Sequence, residues 1–140
     1  MSYKISMVAG EPSGDLLAAR VMQGLKAQDQ SIQFNGIGGP HMQEAGLQLD
    51  YPMDALSVFG YIDALKQLPR LISIYNGFKK QTIVDSPNVF VGVDAPDFNL
   101  RLEEQLKKSG IPTVHFVSPS IWAWRYQRIE QIRRAVDHML

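Results

Sequence analysis

Short apolar runs alternate with amphipathic stretches along the whole chain, and this alternation is the strongest constraint on its fold. "YKISMVA" (3–9), "IQFNGIG" (32–38), "NVFVGV" (88–93) and "PTVHFVS" (112–118) read as strands. "LQLDY" (47–51) reads as a shorter one, and "VDHML" (136–140) begins another. Residues 14–27, 97–110 and 125–135 carry helical apolar spacing, and a short helix reaches Ala45 after the Gly38-Gly39-Pro40 turn. Asp97 is the expected N-cap, and Gly110 the expected C-cap, of the helix over 97–110. Repeated strand–helix–strand units need crossover connections, so the strands run parallel and helices cover both faces. The predicted class is α/β: one domain with a doubly wound, mostly parallel, Rossmann-like sheet.

The chain has 140 residues, 45% of them hydrophobic, enough for a real core. Lys plus Arg and Asp plus Glu are both 14, so no overall field recruits nucleic acid or an anionic membrane. No nucleic-acid partner is expected, and membrane contact would need a local patch. There is no cysteine, which excludes disulfides and thiolate metal sites. The opening "MSYKISMVAGEPSGD" meets a turn at Gly10 and does not read as a signal peptide; no run is long enough to span a bilayer. A cytoplasmic location is expected. His41, His115 and His138 lack metal-ligand spacing, and His115 is expected to pack inside its strand. No metal and no cofactor is expected.

In a doubly wound sheet, ligands sit outside the carboxyl ends of the strands. Three loops reach that edge. "AGEPSGD" (9–15) is Gly-rich and precedes a helix, but it lacks GxGxxG and has no Lys after Gly14. Ser13 or Asp15 could cap the helix; Glu11 is not needed for that, which favours a functional role. "VGVDAPDFN" (91–99) ends an apolar strand on Asp94, with a proline two residues on to fix the backbone. Asp94 could be a general base for a hydroxyl, or an ordinary loop acid. "SPSIWAW" (118–124) offers Ser118, Ser120, Trp122 and Trp124; one Trp suits the core and the other a sugar or acyl chain. In the segment 56–81 and just beyond it, after Pro69, Leu71, Ile72, Ile74, Tyr75, Phe78 and Ile83 spread over about half a helical wheel, flanked by Lys66, Arg70, Lys79 and Lys80. That pattern suits a helix meeting lipid or acyl chains, or one sandwiched between the sheet and a partner such as a second copy of the chain in a homodimer.

"VAGEPSGD", "GIGGPHM", "VGVDAPDFN" and "VSPSIWAW", in this order and spacing, resemble the signature segments of the lipid-A-disaccharide synthase family of bacterial glycosyltransferases. The resemblance covers essentially the whole chain. It implies an inverting transferase of two Rossmann-like domains that needs no metal. Such an enzyme joins UDP-2,3-diacylglucosamine to 2,3-diacylglucosamine-1-phosphate (lipid X) and releases UDP. It would work as a peripheral protein on the inner face of the inner membrane. Asp94 is then the implied general base. Glu11 and Ser13 are the implied functional residues of the first loop; Gly14, Asp15, Asn99, Ser118, Ser120 and Trp122 are expected beside them at the substrates, and Leu71, Ile74, Tyr75 and Phe78 at lipid or acyl chains. The chain would be the acceptor half, with a C-terminal donor domain missing after Leu140 and no activity alone. The alternatives are a nucleotide-binding module of the same fold and a non-catalytic module that docks on lipid.

Overall fold

The structure is a computed structural model and describes residues 3–56, 61–93, 96–116 and 138–139. Six strands form one sheet in the order β3-β2-β1-β4-β5-β6, every neighbouring pair parallel. They are β1 (Lys4–Ala9), β2 (Gln33–Gly38), β3 (Leu47–Pro52), β4 (Val89–Val93), β5 (Thr113–Phe116) and β6 (His138–Met139). The helices are α1 (Pro12–Gln28), α2 (Pro40–Glu44), α3 (Tyr61–Asp85) and α4 (Pro96–Lys108). The predicted strands are all present. The helix expected over 125–135 lies outside the described residues.

Strand order dictates where the cleft is. The chain builds outward from β1 through β2 to β3, then returns to the other side of β1 for β4. The crossovers therefore diverge between β1 and β4, opening a crevice at their carboxyl ends. Side chains alternate across the sheet and feed two cores. Ile5, Met7, Ala9, Phe34, Val91 and Val93 pack under Ala18, Ala19 and Met22 of α1 and Met42 of α2. Val8, Ile37 and Phe90 pack under Ile74 and Phe78 of α3 and Leu102 and Leu106 of α4. The doubly wound expectation holds.

Gly36 shows how tightly the central strands approach. Its φ is +149°, and a Cβ there would collide with the Met7 carbonyl of β1. The register of β2 against β3 shifts at the same point, between Gly36 and Ile37. At the end of α4, Gly110 adopts φ +87° as expected. Its N–H donates to Lys107 O at 3.0 Å and that of Ile111 to Leu106 O at 3.0 Å, a Schellman ending sealed by Ile111 on Leu106.

Two expectations about helices are corrected. α4 begins at Pro96, so Asp97 lies inside its first turn instead of preceding it. α3 runs through Pro69 and on to Asp85, and part of the set expected at lipid or acyl chains faces the sheet. Ile74 is 7% exposed and Phe78 is fully buried, both in the core against the sheet, and Tyr75 is half-buried with its ring edge-on to Phe98 at 5.6 Å. Leu71 is half-buried. A helix lying on a parallel sheet must bury one face there, and Ile74 and Phe78 are that face. Among the described side chains of α3, the large apolar ones left outward are Ile72 and Ile83 of the expected set, together with Val84, at 51%, 39% and 81% exposure.

This division can be measured. Phe78→Ala should lower stability by about 3–5 kcal/mol, whereas Ile72→Ala should change it by less than about 0.5 kcal/mol. Urea unfolding of the two variants reads both values. Similar small effects would show that Phe78 is not core.

Candidate active site

The site is set by one register. Ala9, the last residue of β1, pairs with Val93, the last of β4. Adjacent strands lie about 4.8 Å apart, so the chain leaves both at the same level, side by side. Gly10 and Glu11 follow the first strand and Asp94 the second. Asp94 itself lies outside the described residues, as do Ser118, Ser120 and Trp122 after β5.

The loop after β1 is shorter than its sequence suggested. α1 starts at Pro12, two residues before the expected Gly14, because a proline in the first helical turn gives up no hydrogen bond. Glu11 is the N-cap residue by backbone, extended at φ −139° and ψ 156°, but its side chain makes no cap bond. Glu11 and Ser13 are exposed at the crevice edge. Gly14 is buried beneath them. A Cβ on it would meet Ala9 Cβ and Val93 Cγ1 at 3.5 Å each. The first turn of α1 thus rests on the very pair of residues that ends β1 and β4.

Asp15 and Asn99, both expected at a substrate, turn inward to the backbone. Asp15 is 1% exposed. Its carboxylate accepts N–H bonds from Gly39 at 3.1 Å, His41 at 3.0 Å and Met42 at 2.9 Å. It therefore caps α2, a helix it does not belong to, and ties the loop after β2 to the loop after β1. Gly39 leaves room for it, since a Cβ there would come within 2.6 Å of Asp15 Oδ2. Asn99 is fully buried on α4, and its Nδ2 donates to Val8 O at 3.3 Å and reaches Val93 O at 3.5 Å. Each amide contact lands on one of the two central strands.

A further polar group went unnoticed in the sequence. His115 of β5 and Glu103 of α4 are both fully buried, with Nδ1 and Oε1 2.8 Å apart. His115 stands in register with Gly92 of β4, whose missing side chain makes space for the Glu103 carboxyl. Burial pushes the Glu103 carboxyl up from 4.5 to about 7, against the lowering effect of the His115 hydrogen bond and charge. The available signal was the spacing Asn99–Glu103, four residues apart on a helix facing a strand that holds a histidine. A depression at the amino ends of the strands, lined by Lys4, Gln33, Asn35, Asp50 and Gln81, lies away from this edge.

A family profile described as lipid-A-disaccharide synthetase matches residues 5–140. The chain belongs to the lipid-A-disaccharide synthetase family. It is 62% identical over all 140 residues to the lipid-A-disaccharide synthase of Bordetella avium, covering 35% of that protein's length. It is 56% identical over 138 residues to that of Paraburkholderia phytofirmans, covering 98% of this chain and 36% of the relative. The corresponding protein of Chromobacterium violaceum is 55% identical over 139 residues, 99% of this chain and 36% of the relative. The chain thus spans about a third of the length of these lipid-A-disaccharide synthases. Among the described residues, no group of His, Cys, Asp and Glu could hold a metal ion.

Two outcomes follow for this family member. Asp15→Ala strands three N–H groups, two of them buried, and should cost about 2–3 kcal/mol in urea unfolding, with Asp15→Asn costing less. The Glu103 carboxyl has its folded pKa raised, so its favourable contribution is complete below about 4.5 and declines as the pH rises to about 7. The stability of wild type relative to Glu103→Gln should fall across that window and level off above it. A difference that stays flat with pH would contradict the burial account.

Proposed function

We propose that residues 1–140 form the acceptor-side, N-terminal domain of an inverting glycosyltransferase of lipid A synthesis. The remaining length of the relatives would supply the domain that grips the donor. The donor is UDP-2,3-diacylglucosamine and the acceptor lipid X, and the product is the disaccharide-1-phosphate with release of UDP. Asp94 is the general base. A sugar hydroxyl is a weak nucleophile near neutral pH, and Asp94 takes its proton as the oxygen attacks the anomeric carbon. Glu11 and Ser13 bind the acceptor from the neighbouring strand end, and Ser118, Ser120 and Trp122, which follow β5 in the sequence, bind it as well. Gly14, Asp15 and Asn99 serve the site by holding its backbone. The departing UDP is stabilised by fixed donors and dipoles of the assembled cleft.

The observation that carries this reading is the pairing of Ala9 with Val93 at the switch point. It sets Glu11 and Ser13, at the start of α1, beside the end of β4, which Asp94 follows in sequence. The acidic, exposed Glu11 disfavours the nucleotide-binding alternative, since it sits where a phosphate would approach the first turn of α1.

The test uses a full-length protein made by joining residues 1–140 to the remainder of the Bordetella avium relative. Asp94→Asn should lower kcat by about 10²–10⁴ while the circular dichroism spectrum stays unchanged. Asp97→Asn should lose less. A near-normal kcat in Asp94→Asn would remove Asp94 from the chemistry.

No helix among the described residues is long and apolar enough to cross a membrane. We propose a peripheral contact with the inner face of the inner membrane through the outward side of α3. Ile72, Ile83 and Val84 are exposed there, with Arg70 and Lys80 exposed on the same helix. Each cation near an anionic surface contributes about 1 kcal/mol. Sedimentation with anionic phospholipid vesicles should show binding that the triple change Ile72→Ser, Ile83→Ser, Val84→Ser weakens. Equal binding by both proteins, or none by either, would reject the contact.

A further inference from the structure

The face of α4 that meets the sheet is unusual for an α/β domain. Leu100, Leu102 and Leu106 are fully buried, as such a face requires. Between them, Asn99 and Glu103 are buried as completely, and His115 meets Glu103 from β5. Glu103 Oε2 and His115 Nε2 have no hydrogen-bond partner among the described residues. Burying such a pair is costly, and replacing it with apolar side chains of similar volume is often neutral or stabilising. Global stability alone therefore gives no reason for it.

Its location gives one. Asn99 and Glu103 are one helical turn apart and address the last two residues of β4. Asn99 Nδ2 reaches the Val93 carbonyl and also donates to Val8 O of β1, the strand residue that pairs with Gly92. The Glu103 carboxyl lies over Gly92, where a Cβ would strike it. His115, in register with Gly92, holds that carboxyl from β5. The end of β4 is thus gripped from its helix side by a hydrogen-bonded arm that reaches across three strands, and the next residue in the chain is Asp94.

We propose that Glu103 and His115 are positioning residues for the proposed general base: their buried hydrogen bond fixes the end of β4 and so the placement of Asp94. The inference rests on the reading of Asp94 given above. The pair touches no substrate and moves no proton in the reaction. It acts through the backbone of Gly92 and Val93. Positional accuracy at a reacting group matters steeply, since a displacement of about 1 Å can cost about a hundredfold in rate.

The experiment compares substitutions in the same full-length chimera, reading kcat, KM and melting temperature. Glu103→Gln can still donate to His115 Nδ1 and should keep kcat within about threefold of wild type. Glu103→Leu cannot, and kcat should fall tenfold or more with KM changed less than threefold. The double change Glu103→Leu, His115→Leu should melt at or above the wild-type temperature and yet keep the low kcat. A purely structural pair would give that stable double variant a normal kcat, which overturns the proposal. Equal losses in Glu103→Gln and Glu103→Leu also overturn it, because charge and not the hydrogen bond would then matter. Should the double variant fail to fold, the comparison of Gln with Leu at position 103 decides. Asp94→Asn, measured alongside, separates the two claims. Normal activity there removes the general-base reading itself, whereas lost activity with a normal kcat in Glu103→Leu removes only the positioning role.

Discussion

The parallel pairing of β1 with β4, ending at Ala9 and Val93, is the contact on which the rest of the structure depends. It exists because the chain returns across β1 after building β2 and β3, and that return opens the crevice. The neighbouring elements are fitted to this junction. Gly14 lets the first turn of α1 settle on both strand ends, and Asn99 of α4 spans the carbonyls of both strands. The loop after β2 is drawn toward the same edge by the Asp15 carboxylate. Apolar packing gives the domain its two cores, but it is non-directional. The directional contacts at the carboxyl edge are polar and buried.

That distribution explains a division of labour within "GEPSGD" and "DAPDFN". In the first segment one polar side chain turns to the backbone and two stay exposed; in the second, Asn99 turns to the backbone. Asp15 and Asn99 are buried against N–H and C=O groups, whereas Glu11 and Ser13 are exposed. A hydrogen-bonded scaffold under a short loop holds exposed groups in place more narrowly than the loop could alone. The Glu103–His115 pair extends the same scaffold to β5.

Much of this fold was legible in the sequence, and the failures have physical reasons. The alternation of strand and helix signals gave the class and the strands, because periodicity is local and strong. Helix starts were less visible: Pro12 and Pro96 each open a helix earlier than the caps suggested. The face of α3 was misread because half a helical wheel of apolar residues contains both a core face and an outward one. Only the sheet's position tells Ile74 and Phe78 from Ile72 and Ile83. The role of Asp15 was hidden because its partners are more than twenty residues away in sequence. His115 was correctly expected to be packed, but its partner could not be named without the register of β4 against β5 and the seat of α4.

The central claim is that the acceptor sugar lies at the carboxyl ends of β1 and β4, where Asp94 can receive its proton. A crystal structure of the full-length chimera with lipid X tests this most directly. The account predicts the attacking hydroxyl within about 2.6–3.2 Å of the Asp94 carboxylate, with Glu11 or Ser13 on the same sugar. An acceptor sugar bound elsewhere, with Asp94 turned away from every hydroxyl, would contradict it.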